Sequence, residues 1–307
     1  MYDLIILGGG PAGSGAAVYA ARKLLKTAVI TTEFGGQSSV SETIYNWIGT
    51  KEIRGEDLAN NLKEHVSSYK SEHFEVFEGE KIKEILKEDT FFKVITESGK
   101  DFSTKAIIIT TGSGRRKLNV PGATEYENKG ITYCASCDGP MFTDMDVVVI
   151  GGGNAGFETA MQLVAYCKTV TLIELGPDFK ADKITVQKIS NNLNFKSIKN
   201  ANILKVDGDK FIKSLTYKDK ETGEEKTIST NGVFVEIGQV PNTSFVKDIV
   251  MLDQLGRIVV DPTTQITSCP GIWAAGDCTN GKYHQNNIAV GDAIKAIEDA
   301  YIWIKNN

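Results

Sequence analysis

The sequence predicts an α/β fold made of two Rossmann-like, three-layer nucleotide-binding domains. The first observation behind this prediction is an apolar run at residues 4–7 that leads into a glycine-rich turn at residues 8–13. The second is a near copy of that unit, in which residues 147–150 lead into the turn of residues 151–156. A strand, a glycine turn and a helix in this order are typical of a dinucleotide-binding unit. Because the unit occurs twice, the sequence predicts two bound nucleotides.

Composition is that of a globular chain with room for two domains. Of its 307 residues, 41% are hydrophobic and 24% are charged, which allows two separate cores. The net charge of -5 argues against a nucleic-acid partner, because such proteins present a basic face. No apolar run reaches the roughly 20 residues that span a bilayer, and the first belongs to the glycine-turn unit rather than to a signal peptide. We therefore expect no membrane association and a cytoplasmic location.

The first glycine turn stands among the elements that such a site requires. Residues 3–7 are predicted to form a strand and residues 27–31 a second strand. Between them, residues 14–26 carry the small and apolar side chains of a helix that packs closely on a sheet. This order turns a weak glycine pattern into a credible nucleotide site.

Each residue type of the first turn has a physical role. Gly8 permits the tight turn, Gly10 lets the backbone approach a pyrophosphate, and Gly13 lets helix and strand pack closely. The phosphate charge would face the N-terminus of the helix. Glu33, about 20 residues beyond the turn, can accept hydrogen bonds from a ribose. The other residues of this predicted site are Pro11 and Ala12.

The segment that follows carries weaker signals. Residues 34–37 and 45–49 are, taken alone, typical of surface turns. Residues 58–69 repeat apolar side chains at helical spacing, which predicts an amphipathic helix. Residues 105–110 are predicted to form a buried strand. The residues that end it are Thr111 and Gly112.

Cys134 and Cys137 form a pair separated by two residues. Such a pair can close a small disulfide loop, and this spacing commonly lowers the pKa of one thiol, so it suits two-electron exchange. Because the pair lies between the two glycine turns, it indicates an electron relay. Zinc is the alternative, but it needs two further ligands, and the three histidines do not stand at metal spacing. We therefore predict no metal, and five cysteines in a chain of this size favour a reducing compartment.

The second unit repeats the first. Residues 146–150 predict a strand, residues 157–166 a helix and residues 169–173 a second strand, which leads to Glu174. A carboxylate there suits a free 2'-hydroxyl and repels a 2'-phosphate, and no arginine follows within residues 175–183. The sequence thus favours NADH over NADPH. The turn residues of this predicted site are Gly151, Gly153, Asn154, Ala155 and Gly156.

Two more strands in the last third of the chain end in glycine. Residues 233–237 predict a buried strand that ends at Gly238, like the one that ends at Gly112. A later apolar strand ends at Gly276 and Asp277. A strand, a glycine and an aspartate in this order can bring a carboxylate and backbone N–H groups to the ribityl and phosphate oxygens of a cofactor.

Together these motifs resemble the low-molecular-weight thioredoxin reductase family. The resemblance covers essentially the whole chain and runs in the family's order through Gly8 to Gly13, Gly35-Gly36-Gln37, Asn46-Trp47, Cys134 to Gly139, Gly151 to Gly156, Gly238 to Asn242 and Gly276-Asp277. Within the family, residues 133–140 and 172–182 look most like the flavoprotein reductase component of bacterial alkyl hydroperoxide reductase. That component carries an N-terminal thioredoxin-like domain, which we expect this chain to lack.

The resemblance implies a division into domains. FAD would bind a domain built from residues 1–117 and 242–307, while residues 118–241 would form an NAD(P)H-binding domain that carries the dithiol. It also implies a homodimer. A rotation of one domain against the other would present the dithiol alternately to the flavin and to a protein substrate.

The resemblance also assigns roles to residues. Cys137 would lie nearer the flavin and receive its electrons, Cys134 would attack the partner's disulfide, and Asp138 would donate or accept the proton. Alternatively, Asp138 only shapes a turn with the next two residues. FAD would be held by Gly36, Gln37, Asn46, Asp277 and Gln285. Gln285 has the alternative role of capping the last helix.

Two positions depart from the family. Thioredoxin reductase itself has a basic, arginine-containing segment for the 2'-phosphate after the second strand, whereas this chain has Glu174. His284 stands where the family usually has arginine or lysine, and we interpret it as a partly exposed structural histidine.

The function expected on these grounds is that of an NAD(P)H-dependent thioredoxin-disulfide reductase. Electrons would pass from NADH, or in second place NADPH, through FAD and the Cys134–Cys137 disulfide to a thioredoxin- or glutaredoxin-like protein. The alternatives are a reductase fed by ferredoxin, a dithiol oxidase that uses oxygen, and a non-catalytic FAD-bound redox sensor.

Overall fold

The computed structural model describes residues 1–41 and 43–307, with the side chains of Ser136 and Cys137 left outside the description. The chain divides into two compact units. The first unit comprises Met1–Gly114 together with Val240–Asn307, and the second comprises Arg115–Gln239. The α/β class that the sequence predicts is observed in both.

The strands in chain order are β1 Tyr2–Gly9, β2 Thr27–Phe34, β3 Phe74–Glu78, β4 Ile82–Lys87, β5 Phe92–Thr96, β6 Asp101–Ile109, β7 Ser113–Arg115, β8 Ile131–Thr132, β9 Asp146–Ile150, β10 Thr169–Ile173, β11 Phe195–Ile198, β12 Ala201–Gly208, β13 Ile212–Asp219, β14 Glu225–Ser229, β15 Gly232–Val235, β16 Gln239–Pro241 and β17 Ile272–Ala274. The helices are α1 Pro11–Arg22, α2 Gly55–Ser67, α3 Ala135–Asp138, α4 Asn154–Leu163, α5 Lys183–Ser190 and α6 Asn286–Asn306. Short 3-10 turns cover Gly36–Val40, Gly139–Phe142 and Ser244–Val246.

The first unit is built on a sheet of order β3-β2-β1-β6-β5-β4, with β17 also paired to β6. Its centre is parallel, since Leu4 pairs with Thr27 of β2 and with Ala106 of β6. Strand β1 is apolar without interruption because both faces of a parallel sheet are covered. Accordingly, Leu4 and Ile6 face a core formed with α1 and α6, while Ile5 and Leu7 face a core on the other side.

Helix α1 begins as soon as the glycine turn ends. Pro11 occupies its first turn, where a missing N–H costs nothing, and Gly10 is the N-cap. The helix ends at Arg22, before Leu24 adopts a left-handed φ of 56°. It thus spans an earlier stretch than the predicted residues 14–26. In the same way, α4 begins at Asn154 rather than at the predicted residue 157, because Gly153 is its N-cap.

Small side chains let α1 lie close to the sheet. Ala16, Ala17 and Ala20 are fully buried. From the other side, α6 contributes the fully buried Ala293 and Ala296 to the same core. This packing holds the N-terminus of α1 at the carboxyl edge of β1.

The second unit has three layers. Its parallel sheet has the order β11-β10-β9-β15-β8, and a separate antiparallel sheet has the order β12-β13-β14. Val147 and Val149 of β9 face a core with Phe157 of α4. Val148, on the other face, packs in a core with Leu215 of the antiparallel sheet. Among the described residues, no helix combines the length and apolar character that a membrane crossing needs.

Candidate functional site

The first glycine turn is too tight for any side chain. Gly8 has φ +114°, and a Cβ added there would lie 2.4 Å from the carbonyl oxygen of Thr110. A Cβ added at Gly13 would lie 1.9 Å from the carbonyl oxygen of Gly8. Glycine at these two positions is therefore required for β1 to turn directly into α1.

Gly10 faces the opposite situation. A Cβ added there would meet no atom within 4 Å, so open space lies in front of the backbone. No side chain caps α1, and the first N–H groups of a helix have no partner within the helix. These free donors and the positive end of the helix dipole form a cradle for a phosphate group.

A cavity of about 350 Å³ opens at this cradle within the first unit. Its size lies in the range of small-molecule sites. It brings together residues that are far apart in the chain, from β1, β2, the 3-10 turn after β2, β6 and β17. The sequence-predicted residues that line it are Gly8, Gly10, Pro11, Ala12, Glu33, Gly36, Gln37, Thr111, Gly112, Gly276 and Asp277. Gly13 lies behind the turn.

These residues fit the adenosine and pyrophosphate portions of FAD. The open space at Gly10 admits a phosphate against the helix N-terminus. Glu33, at the carboxyl end of β2, lines the same cavity and is exposed, so its carboxylate is available to ribose hydroxyls. Asp277 adds a second carboxylate just beyond β17.

Asp277 has a histidine neighbour. His284 Nδ1 lies 3.4 Å from Asp277 Oδ1, with their side chains 33% and 25% exposed. A protonated His284 would pair with this carboxylate, as the arginine or lysine of the family could.

Asn46 and Gln285 lie outside the residues that line the cavity. The side-chain N–H of Asn46 donates to Gln285 Oε1 at 2.9 Å, and Gln285 is the N-cap residue of α6. Asn287 Nδ2 also donates to the carbonyl of Asn46, at 2.6 Å. The structure thus ties the loop of Asn46 to the start of α6, and both proposed roles of Gln285 remain open to it.

The cavity also contains residues that the sequence prediction missed. Asn242 and Thr111 bond each other twice: Asn242 Nδ2 donates to the Thr111 carbonyl at 3.0 Å, and Thr111 Oγ1 donates to the Asn242 carbonyl at 2.7 Å. Asn286, at the start of α6, accepts a bond from Ser38 Oγ at 2.9 Å. Asn242 had a detectable signal, because it ends the motif that begins at Gly238, whereas Ser38 and Asn286 had none.

The second glycine turn repeats this geometry in the second unit. Gly151 has φ +117°, and a Cβ there would lie 2.2 Å from the carbonyl oxygen of Glu236. A Cβ at Gly156 would lie 1.8 Å from the carbonyl oxygen of Gly151. Gly153 again faces open space and is the N-cap of α4, with no side-chain cap. Asn154 and Ala155 are the first two residues of that helix.

Glu174 is bonded to the second turn itself. Its Oε2 accepts from the N–H of Gly152 at 2.6 Å, and its Oε1 accepts from the N–H of Gly176 at 2.8 Å. A carboxylate has about four acceptor positions. The two backbone bonds therefore fix its orientation and leave positions for a ribose.

The segment after Glu174 folds back over the turn. The N–H of Lys180 donates to the Gly152 carbonyl at 2.9 Å, and the N–H of Asp182 donates to Asn154 Oδ1 at 2.8 Å. Phe179 stacks edge-on against Phe157 of α4 at 5.0 Å between ring centroids. The sequence showed that arginine is absent from this segment, but it did not show that its backbone holds the turn.

Glu236 is a buried carboxylate next to the second turn. Its side chain is 9% exposed, and its Oε1 lies 2.7 Å from an Arg115 guanidinium nitrogen. Thr159 Oγ1, on α4, donates to the same oxygen at 2.9 Å. Burial raises the pKa of Glu236, and this outweighs the opposite effects of Arg115 and Thr159. The sequence prediction did not single out this residue.

Gly238 and Gly112 occupy matching places beyond strands β15 and β6. Both have positive φ, +99° and +60°, and a Cβ at either would meet no atom within 4 Å. The Gly238 carbonyl accepts from the N–H of Arg116 at 2.9 Å, and the Gly112 carbonyl accepts from the N–H of Asn242 at 3.0 Å.

The cysteine motif lies in the second unit. Cys134 is disulfide-bonded and half-buried just before α3, whereas the side chain of Cys137 lies outside the described residues. Asp138 ends α3, and its N–H donates to the Cys134 carbonyl at 3.1 Å. The hydroxyl of Thr132 donates to the carboxylate of Asp138. The cysteines at 167, 269 and 278 are free and buried, and the part of the chain that the structure describes holds no cluster of metal-ligating side chains.

Comparison with known proteins agrees with this arrangement. The family model for pyridine nucleotide-disulphide oxidoreductases matches residues 2–293. NADH dehydrogenase of Bacillus subtilis (strain 168) is 40% identical over the whole chain, which covers 59% of that protein. An alkyl hydroperoxide reductase flavoprotein-sized relative from Staphylococcus aureus (strain MRSA252), itself named as part of that reductase, is also 40% identical over the whole chain, which covers 60% of it. The chain thus spans about 60% of the length of these relatives.

A solved structure extends the similarity to the fold. Thioredoxin reductase of Lactococcus lactis is 34% identical, with a TM-score of 0.93 over 100% of both chains. The predicted fold class and the predicted resemblance are both confirmed. The chain belongs to the pyridine nucleotide-disulphide oxidoreductase family, which uses FAD and a pyridine nucleotide, and its fold is that of the low-molecular-weight thioredoxin reductases.

Proposed function

We propose that this protein is a disulfide reductase that passes electrons from NADH, through FAD and the Cys134–Cys137 pair, to a thioredoxin- or glutaredoxin-like protein. The observation that supports it most is the pair of matching phosphate cradles, one in each unit. Each has an uncapped helix N-terminus behind a glycine with open space in front of it. The second of these units also carries the disulfide of Cys134.

The first unit is proposed to hold FAD and the second the nicotinamide nucleotide, with domains at residues 1–117 and 242–307, and at 118–241. FAD, when bound, supplies two-electron chemistry, since it can accept a hydride from a reduced nicotinamide and deliver the electron pair to a disulfide. The part of the chain is to bind and orient. The N-terminus of α1 would hold the pyrophosphate, Glu33 the adenosine ribose, and Asp277 and Gln37 other polar groups of the cofactor.

The dithiol would carry the electrons onward. When its disulfide is reduced, the S–S bond breaks and the two sulfurs take up two electrons and two protons. Cys134 would then attack a disulfide of the partner protein, and Cys137 would resolve the mixed disulfide, so that the partner leaves as a dithiol. Asp138, which is bonded through its N–H to the Cys134 carbonyl, would donate and accept the protons.

Glu174 supports a preference for NADH. Its carboxylate is fixed by two backbone N–H groups and can accept further bonds from a free 2'-hydroxyl. A 2'-phosphate would place like charge beside it. The name of the Bacillus subtilis relative, NADH dehydrogenase, agrees with this preference.

The partner is proposed from the relatives and the chemistry of the pair. A protein named thioredoxin reductase shares the fold, and a protein named as part of alkyl hydroperoxide reductase is 40% identical. Both names are consistent with delivery of electrons to a disulfide or peroxide system. We further propose that the protein is a cytoplasmic homodimer.

Steady-state turnover with a protein disulfide tests this function. Wild-type protein should oxidise NADH only when a thioredoxin- or glutaredoxin-like disulfide is present, with a lower KM for NADH than for NADPH. Cys134→Ser should abolish this turnover and leave bound FAD unchanged. Cys167→Ser, which changes a buried free cysteine of the same unit, is the matched control and should keep the activity. Full turnover by Cys134→Ser would contradict the relay.

A further inference from the structure

Thr132 connects the backbone of the first cysteine to the acid. The hydroxyl of Thr132 donates to Oδ2 of Asp138. Thr132 Oγ1 also accepts from the N–H of Cys134 at 3.3 Å. Because the N–H of Asp138 donates back to the Cys134 carbonyl at 3.1 Å, the three residues close a ring of hydrogen bonds.

The position of Thr132 is fixed independently of the cysteines. It lies in β8, which pairs in parallel with β15 so that Thr132 is opposite Phe234. Its exposed fraction is only 6%. A buried, sheet-bound hydroxyl is thus aimed at the one side chain to which the disulfide chemistry assigns a proton.

We propose that Thr132 is the positioning residue for proton transfer by Asp138 during thiol–disulfide exchange. The proposal rests on the proposed function of the cysteine pair. Thr132 touches neither substrate nor cofactor, and it acts by holding the carboxyl group of Asp138 in one orientation next to the helical turn of the cysteines.

A hydroxyl suits this task in both protonation states of the acid. It offers one donor and two acceptor positions. Towards the ionised carboxylate it donates, as the structure shows. Towards the protonated acid it can rotate and accept, while it still accepts from the N–H of Cys134. Valine has nearly the same shape but offers neither, so it leaves Asp138 unheld in both states.

Reduction by dithiothreitol isolates the step, because it needs neither nicotinamide nor a protein partner. One dithiothreitol thiolate attacks the protein disulfide, the S–S bond breaks, and the leaving sulfur takes the electron pair and a proton from Asp138. The second dithiothreitol thiol gives its proton to the Asp138 carboxylate and attacks the mixed disulfide. The reagent leaves as its cyclic disulfide, and the protein has gained two electrons and two protons.

The variants separate positioning from general stability. Thr132→Val removes the hydroxyl, and Thr132→Ser restores it. Asp138→Asn removes the acid. Thr216→Val is the matched control, because Thr216 is a strand residue of the same unit, is also 6% exposed, and bonds only Thr227 among the side chains described, at 3.1 Å. The rate of disulfide reduction in the full chain is measured by acid quench, maleimide labelling and mass spectrometry.

We expect Thr132→Val to slow the reduction about tenfold, which is part of the 10²- to 10⁴-fold that general acid catalysis typically contributes. Thr132→Ser and Thr216→Val should stay within about twofold of wild type. In the Asp138→Asn background, Thr132→Val should cause no further loss, because there is no acid left to position.

Three results would overturn the inference: an unchanged rate in Thr132→Val, a loss in Thr132→Ser as large as in Thr132→Val, or the same tenfold loss in the Asp138→Asn background. Failure of the proposed function gives a different result. Wild-type protein would then show no turnover with NADH and a protein disulfide, whereas the dithiothreitol rates would still follow the pattern set by Thr132 and Asp138.

Discussion

The two glycine turns have the same backbone but different support. Gly8 and Gly151 have φ values of +114° and +117°, and both face a carbonyl oxygen of the neighbouring central strand. In the first unit the residue that provides this oxygen is Thr110, whose hydroxyl donates to the Leu7 carbonyl at 2.8 Å. In the second unit it is Glu236, a buried carboxylate paired with Arg115.

The acidic residues after the second strands differ too. Glu33 is exposed and lines the cavity of the first unit, whereas Glu174 is half-buried and bonded to two N–H groups of its own turn and the adjoining segment. The comparison teaches that close packing fixes the backbone of a phosphate cradle, while the side chains around it vary. One cradle is supported by neutral groups, and the other by carboxylates whose charge acts on whatever binds there.

The largest effect should come from a methyl group behind either turn. Gly156→Ala would place Cβ 1.8 Å from the Gly151 carbonyl oxygen and Gly13→Ala would place it 1.9 Å from the Gly8 carbonyl oxygen. We expect each to lower the free energy of unfolding by about 3 kcal/mol or more, as severe overpacking does. Gly291→Ala, on α6, is the control, because its Cβ would meet no atom within 4 Å.

Chemical denaturation and FAD retention measure this effect. Gly13→Ala should lose FAD, and Gly156→Ala should keep FAD in the first unit but lose NADH binding. If both variants bind NADH and FAD like the Gly291→Ala control, the two turns are not the cradles we describe.

The next effect concerns Glu174. Glu174→Ala removes both acceptors from the N–H groups of Gly152 and Gly176 and removes the charge that faces a 2'-phosphate. We expect the Kd for NADH to rise about tenfold or more, since two hydrogen bonds to a charged group are lost, and the ratio of NADH to NADPH affinity to fall. Isothermal titration with each nucleotide measures both. Glu33→Ala serves as the comparison from the first unit and should change FAD retention only.

A smaller effect separates the two units by pH. Burial raises the pKa of Glu236, so the folded protein binds this proton more tightly than the unfolded chain does. Its contribution to stability is therefore present below the unfolded pKa of about 4.3 and declines as pH rises through the raised folded pKa. Glu236→Gln should flatten this decline. Thermal unfolding from pH 4 to pH 8 measures it, and an equal slope in wild type and variant would contradict the assignment.

Glu80 in the first unit should show the opposite sign. Bonds from Lys100 at 2.7 Å and Ser98 at 2.6 Å lower the pKa of Glu80 to about 2. Its contribution is present above the unfolded pKa and is lost as pH falls towards about 2. Glu80→Gln should therefore lower the Tm at pH 7 slightly and lessen its fall in acid. A steeper acid loss in the variant would be the contrary result.

The sequence could predict the parts of this molecule that the backbone dictates. Glycine at positions 8, 13, 151 and 156 is required by contacts under 2.5 Å, so the two cradles are visible in the sequence. The order of strand, turn and helix then indicated the fold class. Helix starts were predicted a turn late, because a glycine N-cap lets the helix begin directly.

The remainder depends on residues that only folding brings together. Arg115 and Glu236 are separated by 121 positions, and neither carries a local motif. Thr132 is six positions from Asp138, but their contact requires β8 to be docked on β15. Glu174 was predicted as a ribose ligand from its place after a strand, whereas its bonds to the turn follow from how residues 176–182 fold back.

The central claim is that the two cradles hold two nucleotides between which electrons pass. Anaerobic stopped-flow mixing of the FAD-loaded protein with NADH, followed at the visible absorbance of the flavin, tests it most directly. The account predicts rapid bleaching by NADH, slower bleaching by NADPH, and recovery of the absorbance when a thioredoxin-like disulfide is added. Absence of bleaching with either nucleotide would contradict it and would favour a reductase fed by ferredoxin, an oxidase or a redox sensor.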